Sequence, residues 1–167
     1  MRVLILGGTR YFGKATVELL MKNVHFTDVK TLSRSKKNRD TKSHIICDRK
    51  NINELYSVFR SFQPEVIVDM INFSRDDSKG LVEAYSNGLL LSLKHYIMVS
   101  SFFVYNHFDL KAFREKQLDL SLVKMNKVDN YTYQKIEAEI VLYQSQLMDL
   151  TSILRLPFVF SSDDYSG

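Results

Sequence analysis

Tyr131 and Lys135 stand four residues apart, one turn along the same face of a helix. An unperturbed tyrosine titrates near about 10 and is a poor base at neutral pH, but a neighbouring ammonium favours the phenolate and brings it closer to proton transfer. Ser100 and Ser101 close an apolar run and offer hydroxyls to the same kind of chemistry. Near the N-terminus, Val3-Leu4-Ile5-Leu6 runs directly into Gly7-Gly8-Thr9-Arg10-Tyr11-Phe12-Gly13, which holds three of the six glycines of the chain. Glycines at that place let backbone N–H groups come close to a ligand, and a helix opening there turns its positive end toward a phosphate. Each pattern alone is common. Tyr and Lys at this spacing recur by chance on exposed helices, and serines often cap or turn a chain after a strand.

The elements that must position these groups alternate regularly. The unbroken apolar run Val3–Leu6 suits a strand buried on both faces of a parallel sheet. A helix follows, with Ala15, Leu19 and Met21 or Lys22 at helical offsets. Asp28 to Leu32 reads as a second strand ending at Ser33-Arg34, where a basic segment containing Lys36, Lys37, Arg39 and Lys42 begins. In dinucleotide folds an acid at the end of the second strand holds the ribose 2′-hydroxyl, whereas an arginine accommodates a 2′-phosphate. This chain has Arg34 there, and the rest of the basic run reads equally well as a solvated loop. His44–Cys47 is a third strand with Asp48-Arg49 at its end. A helix capped by Asn51 or Asn53 carries Leu55, Val58, Phe59 and Phe62 and stops at Pro64. Val66–Ile71 is the fourth strand, Ser74-Arg75-Asp76-Asp77 starts a helix with Leu81, Ala84 and Tyr85 inward, and His95–Ser100 is the fifth strand. Residues 102–128 show no clear period beyond a charged helical piece at Asp109–Gln117. From Tyr131 a long amphipathic helix places Ile136, Ile140, Tyr143 and Leu147 on its apolar stripe and Glu137 and Glu139 elsewhere on its surface. Ser152–Phe160 forms the sixth strand, with Pro157 at its end or at a bulge. The expected fold is α/β, a doubly wound parallel sheet.

Composition sets the outer limits. The chain has 167 residues, 45% hydrophobic and 25% charged, with a net charge of +4, which fits one domain and implies neither a nucleic-acid nor a membrane partner. No apolar run reaches the roughly 18 residues that span a bilayer. The single cysteine, Cys47, allows no internal disulfide framework and is expected to be a buried, inert thiol, which together with the lack of a signal-peptide pattern points to the cytoplasm. His25, His44, His95 and His107 have no paired ligand spacing, so no metal site is expected.

The order of the motifs carries more weight than any one of them. A glycine loop follows strand one, Arg34 strand two, Asp48 strand three and Ser101 strand five, and the Tyr131/Lys135 helix comes next. In this the chain resembles the short-chain dehydrogenase/reductase superfamily, in its extended branch, the NAD-dependent epimerase/dehydratase family, over nearly the whole length. Gly7, Gly8 and Gly13 match its pyrophosphate loop, and Asp48 matches the acid that meets the adenine. Ser100-Ser101-Phe102-Phe103-Val104-Tyr105 looks like its Ser-Ser-x-x-Val-Tyr segment, and Leu154-Arg155-Leu156-Pro157 resembles its Leu-Arg-x-Pro strand beside the nicotinamide.

The resemblance implies a Rossmann sheet of order 3-2-1-4-5-6 with helices on both faces, spanning residues 1–167 as one dinucleotide-binding domain that stops before the family's C-terminal substrate lobe. It implies that Tyr131 is the general acid/base, that Ser101 hydrogen-bonds the same substrate oxygen, and that Lys135 holds the nicotinamide ribose. Cofactor contacts are then expected from Gly7, Gly8, Thr9, Arg10, Tyr11, Phe12 and Gly13, and from Arg34, Asp48, Arg49 and Pro157. The implied activity is an NAD(P)-dependent oxidation, epimerisation or dehydration of a sugar nucleotide or similar small molecule. Arg10 stands where the family's usual loop has its middle glycine; there it either crowds the loop or reaches a 2′-phosphate, and in the second case it joins Arg34 in favouring NADP over NAD. The family commonly pairs through long helices such as the one starting near Tyr131, so a homodimer is expected. The rival expectation is a non-catalytic dinucleotide sensor or RNA-binding protein on the same scaffold, motivated by the basic run from Arg34 to Lys42.

Overall fold

Residues 1–9, 11–35, 42–107, 129–157 and 159 are described by a computed structural model of the chain. Arg10, the basic residues Lys36, Lys37 and Arg39, the helical piece expected at 109–117 and the end of the sixth expected strand, with Phe158 and Phe160, lie outside the described residues. Among the described residues six strands form one sheet: β1 (Arg2–Leu6), β2 (Asp28–Ser33), β3 (His44–Ile46), β4 (Val66–Asp69), β5 (His95–Ser101) and β6 (Thr151–Leu156). All neighbouring pairs are parallel, in the order β3-β2-β1-β4-β5-β6. The helices are α1 (Tyr11–Met21), α2 (Ile52–Phe62), α3 (Arg75–Ser86) and α4 (Asn130–Tyr143). No helix among the described residues is long and apolar enough to cross a membrane.

The apolar run of β1 is buried on both faces, as a central parallel strand requires. Val3 and Ile5 join Val29 and Val68 and pack against Val17, Leu20 and Phe26. Leu4 and Leu6 enter the larger cluster on the other face, with Leu55 and Phe59 of α2, Leu81 of α3 and Ala138 and Leu142 of α4. Each such fully buried side chain stabilises the fold by about 1.5–3 kcal/mol relative to exposure, before entropy is counted.

Local signals set the helix ends. Asn51 caps α2 by accepting from the Glu54 N–H at 3.4 Å, and its side-chain amide donates to the Glu54 carboxylate at 2.7 Å. The helix closes at Gln63, whose φ of 47° lies in the left-handed region just before Pro64. Ser74 caps α3, and Asp129, which precedes the expected start, caps α4 through the Thr132 N–H at 3.0 Å.

The structure sets the inward face of α1 and corrects an expectation about α4. On α1, Leu19 is 71% exposed and Met21 46%, and Ala15 and Lys22 also face solvent; Gly13, Val17 and Leu20 turn inward instead. The close packing of Gly13 against the preceding loop fixes the rotation of this helix, so the inward stripe starts from the glycine rather than from Ala15. On α4, Glu139 is fully buried rather than on the surface, because Arg155 and Ser100 meet it from the sheet. Leu147, placed on the same helix by its spacing, belongs to a following 3-10 turn, Gln146–Leu150, and is buried there. Strand β4 also ends at Asp69 rather than Ile71.

The sheet positions the site by its topology. From β1 the chain winds outward through β2 and β3 on one side and through β4 to β6 on the other. The loops after β1 and β4 therefore diverge at the C-terminal ends of neighbouring strands, which opens a crevice between them.

Candidate functional site

That crevice is a cleft of about 1030 Å³. Its floor is the turn from β1 into α1. Gly7 has φ +105° and Gly8 φ +23°, conformations that side chains rarely adopt, and a Cβ on Gly7 would lie 2.8 Å from Ile71 Cγ2. A Cβ on Gly13 would lie 2.8 Å from Met70 Sδ and 3.1 Å from Gly8 Cα. Gly13 thus brings the first turn of α1 tightly against the loop at Gly8, and Gly7 brings the loop against Ile71. That first turn contains no acidic side chain, so the positive end of the helix is left for an anion. Thr9 and Phe12 line the same part of the cleft. The side chain of Tyr11 lies outside the described ones.

One end of the cleft is built by β2 and β3. Arg34, exposed, lines it between Ser33 and Ser35, opposite Asp48, Arg49 and the buried Cys47. Asp48 lines the cleft and accepts from the Lys50 N–H at 3.0 Å. Burial raises the Cys47 thiol to about 11, with the Glu54 and Asp48 charges adding to the effect, in keeping with the inert thiol expected. Arg49 lines the wall but does not reach out: its Nη1 donates to Asp69 Oδ1 at 2.7 Å and its Nε lies 3.1 Å from Asp77 Oδ1.

The other end is built by α4, β5 and β6. Lys135 is 2% exposed, and its ammonium donates to the carbonyls of Asn72 at 2.7 Å and Val99 at 3.0 Å. It lies 4.7 Å from the centre of the Phe73 ring and 6.0 Å from that of Tyr131, a cation between two aromatic faces. Desolvation lowers the Lys135 pKa to about 8, against the opposing pull of the Asp69 and Glu139 charges. An ammonium has three donors, and among the described residues two of them are used. Tyr131 is half-exposed, Ser101 is buried, and both line this end together with Pro157. Ser101 Oγ accepts from the Phe103 N–H at 3.3 Å.

Sequence reasoning missed the polar layer under the cleft. Asp69, fully buried, accepts from Arg49, from the Tyr96 hydroxyl at 3.0 Å and from the Ile71 N–H at 3.2 Å. Asn72 donates to Ser78 Oγ at 2.9 Å and to Tyr96 Oη at 3.0 Å, and its carbonyl receives Lys135. One signal was available: Asp69 is a carboxylate directly after the apolar run Val66-Ile67-Val68, and a charge there needs a partner. Nothing local names Arg49 as that partner.

The cleft fits a dinucleotide on its own features. A glycine-packed helix start lies in the middle, an arginine and a carboxylate lie at one end, and a lysine lies beside a phenol and a serine at the other. Comparison with known proteins agrees with this geometry. The profile of the NAD dependent epimerase/dehydratase family matches residues 3–163. No curated protein matches by sequence. Among solved structures, dTDP-glucose 4,6-dehydratase from Bacillus anthracis str. Ames, in complex with NAD, is similar with TM-score 0.75 and 16% identity over 99% of this chain and 57% of that one. The UDP-Glc/GlcNAc 4-epimerase from Campylobacter jejuni is similar with TM-score 0.71 and 17% identity over 92% and 52%. A short-chain dehydrogenase/reductase from Veillonella parvula DSM 2008, in complex with NADP, is similar with TM-score 0.68 and 19% identity over 99% and 72%. At these identities the likeness is one of fold, and the chain spans between about half and three-quarters of the proteins it matches.

Proposed function

The chain belongs to the NAD-dependent epimerase/dehydratase family, and from that premise we propose that it binds NADP and serves a hydride-transfer reaction on a hydroxyl or carbonyl of a sugar nucleotide or similar small molecule. One observation carries this reading: residues from opposite ends of the chain, Gly7, Gly8, Thr9, Phe12 and Gly13 on one side and Ser101, Tyr131 and Lys135 on the other, line a single cleft at the C-terminal ends of β1 and β4. A bound nicotinamide would supply the hydride acceptor or donor. The α1 N-terminus and the glycine turn would hold its pyrophosphate, Asp48 its adenine and Arg34 its 2′-phosphate. The Lys135 ammonium would hold the nicotinamide ribose. Ser101 would hydrogen-bond the reacting substrate oxygen, and Tyr131 would give or take the proton at that oxygen. The Lys135 charge, 6.0 Å from the Tyr131 ring centre, favours negative charge developing on the phenol as its proton leaves. Pro157 follows β6 without an N–H, leaving an apolar edge at this end of the cleft. A cytoplasmic setting is supported by the single, buried, free thiol of Cys47.

The choice of NADP over NAD is tested at Arg34. A charge-assisted contact to phosphate contributes about 1.5–3 kcal/mol, so Arg34→Ala is expected to weaken NADPH binding about 10- to 100-fold and to leave NADH binding within about twofold. Parallel fluorescence titrations with the two cofactors measure this. An equal loss for both, or none for NADPH, would remove the 2′-phosphate role.

A further inference from the structure

Tyr131, Lys135 and Glu139 follow one another at four-residue intervals along α4, so they form a single stripe. The proposed chemistry uses the first two and leaves the third without a role. Glu139 is fully buried, and a buried carboxylate is costly unless paired and hydrogen-bonded. It is held from two elements. Arg155 of β6 approaches it with Nη2 at 2.7 Å from Oε2 and Nε at 3.2 Å from both oxygens. Ser100 of β5, the neighbour of Ser101, donates to Oε1 at 2.5 Å. The same guanidinium donates to the hydroxyls of Tyr105, at 3.0 Å, and Tyr143, at 3.2 Å, and so ties in the segment after β5 and the last turn of α4.

This arrangement does what an apolar contact cannot. Hydrophobic packing tolerates small rotations and slides of a helix, whereas a forked ion pair with directional hydrogen bonds does not. A one-residue slip of α4 would move Glu139 by about 1.5 Å along the axis and turn it by about a quarter turn or more, out of reach of both Arg155 and Ser100. Tyr131 needs such a constraint, because among the described residues no hydrogen bond reaches its hydroxyl. We propose that the buried Glu139–Arg155 pair, with Ser100, is a positioning device that fixes the rotation and height of α4 so that Lys135 and Tyr131 face Ser101 across the cleft. The inference rests on the roles proposed above for those three residues.

The double substitution Glu139→Leu/Arg155→Met separates positioning from stability. Buried ion pairs replaced on both sides by apolar residues of similar volume commonly keep the fold. The variant is therefore expected to unfold at the same urea midpoint as the wild type. Lys135 accessibility is read by reductive methylation with formaldehyde and cyanoborohydride at neutral pH, followed by peptide mass spectrometry. The expected result is labelling of Lys135 about tenfold faster than in the wild type, since the helix is free to open locally, with weaker NADPH binding alongside. Wild-type protection of Lys135 in a variant of unchanged stability would overturn the proposal and leave the pair a structural one. Should the double variant not fold, Ser100→Ala removes a single tie and decides in its place: faster Lys135 labelling supports positioning, and unchanged labelling overturns it. The labelling arm needs no cofactor, so absence of NADPH binding in the wild type would remove the functional reading without deciding this one.

Discussion

Tyr131→Phe is expected to lower turnover about 10²–10⁴-fold while leaving NADPH affinity within about twofold, the range that general acid–base groups contribute. The ring of Tyr131 is 46% exposed and its hydroxyl has no hydrogen-bond partner among the described residues, so removing that oxygen takes nothing from the packing. Stability should accordingly change by less than about 0.5 kcal/mol. The Lys135 ammonium keeps its bonds to the Asn72 and Val99 carbonyls in the variant, so the cofactor side of the cleft stays intact. A loss confined to kcat, with cofactor binding preserved, is the signature of a group that acts at the substrate oxygen. Steady-state rates with any substrate the wild type turns over, together with a cofactor titration, measure both halves. Full turnover in the variant would mean that the proton is carried elsewhere.

Asp69→Asn is expected to lower stability by about 3–5 kcal/mol, the usual consequence of breaking a buried charge pair from one side. Both partners are buried: the Arg49 side chain is 6% exposed and that of Asp69 0%. The isosteric amide would offer an N–H toward either the Arg49 guanidinium or the Tyr96 hydroxyl, both of which donate to Asp69. Asp77 retains Arg49 and Lys50 and softens the loss without replacing the missing acceptor. The Arg49 charge is favoured in place by Asp69 and Asp77 against the desolvation that burial imposes. Urea unfolding followed by circular dichroism gives the difference in midpoint. A change below about 1 kcal/mol would show that the polar layer under the cleft is not under this electrostatic load.

How much was legible in the sequence follows from the range of each signal. Caps and turns are written within a few residues, so the starts of α2 at Asn51 and α3 at Ser74 and the stop at Pro64 could be read directly. The strand order followed from resemblance, since alternating elements dictate parallel pairing but not which strand lies at the centre. The inward face of α1 was not legible, because its apolar residues occur on two sides and the contact that decides between them, Gly13 against Gly8 and Met70, involves a residue with no side chain. Glu139 was misread for a different reason. A glutamate on a helix belongs to the surface unless a cation meets it, and Arg155 is a partner that only the pairing of β5 with β6 brings within reach. The same holds for Asp69 and Arg49. Residues that line the cleft were thus readable from motif order, whereas the buried charges beneath it were not.

The central claim is that the turn from β1 into α1 is the seat of a dinucleotide pyrophosphate, and it is tested most directly by titrating NADPH into the folded wild-type chain beside Gly13→Ala. The account predicts saturable one-to-one binding to the wild type with a dissociation constant on the order of micromolar to sub-millimolar. It predicts weaker binding to the variant by about tenfold or more, because its new Cβ would meet Met70 Sδ at 2.8 Å and Gly8 Cα at 3.1 Å and so displace the loop from the helix start. A folded wild-type chain that binds neither NADPH nor NADH, or a Gly13→Ala variant that binds as tightly as the wild type, would contradict it.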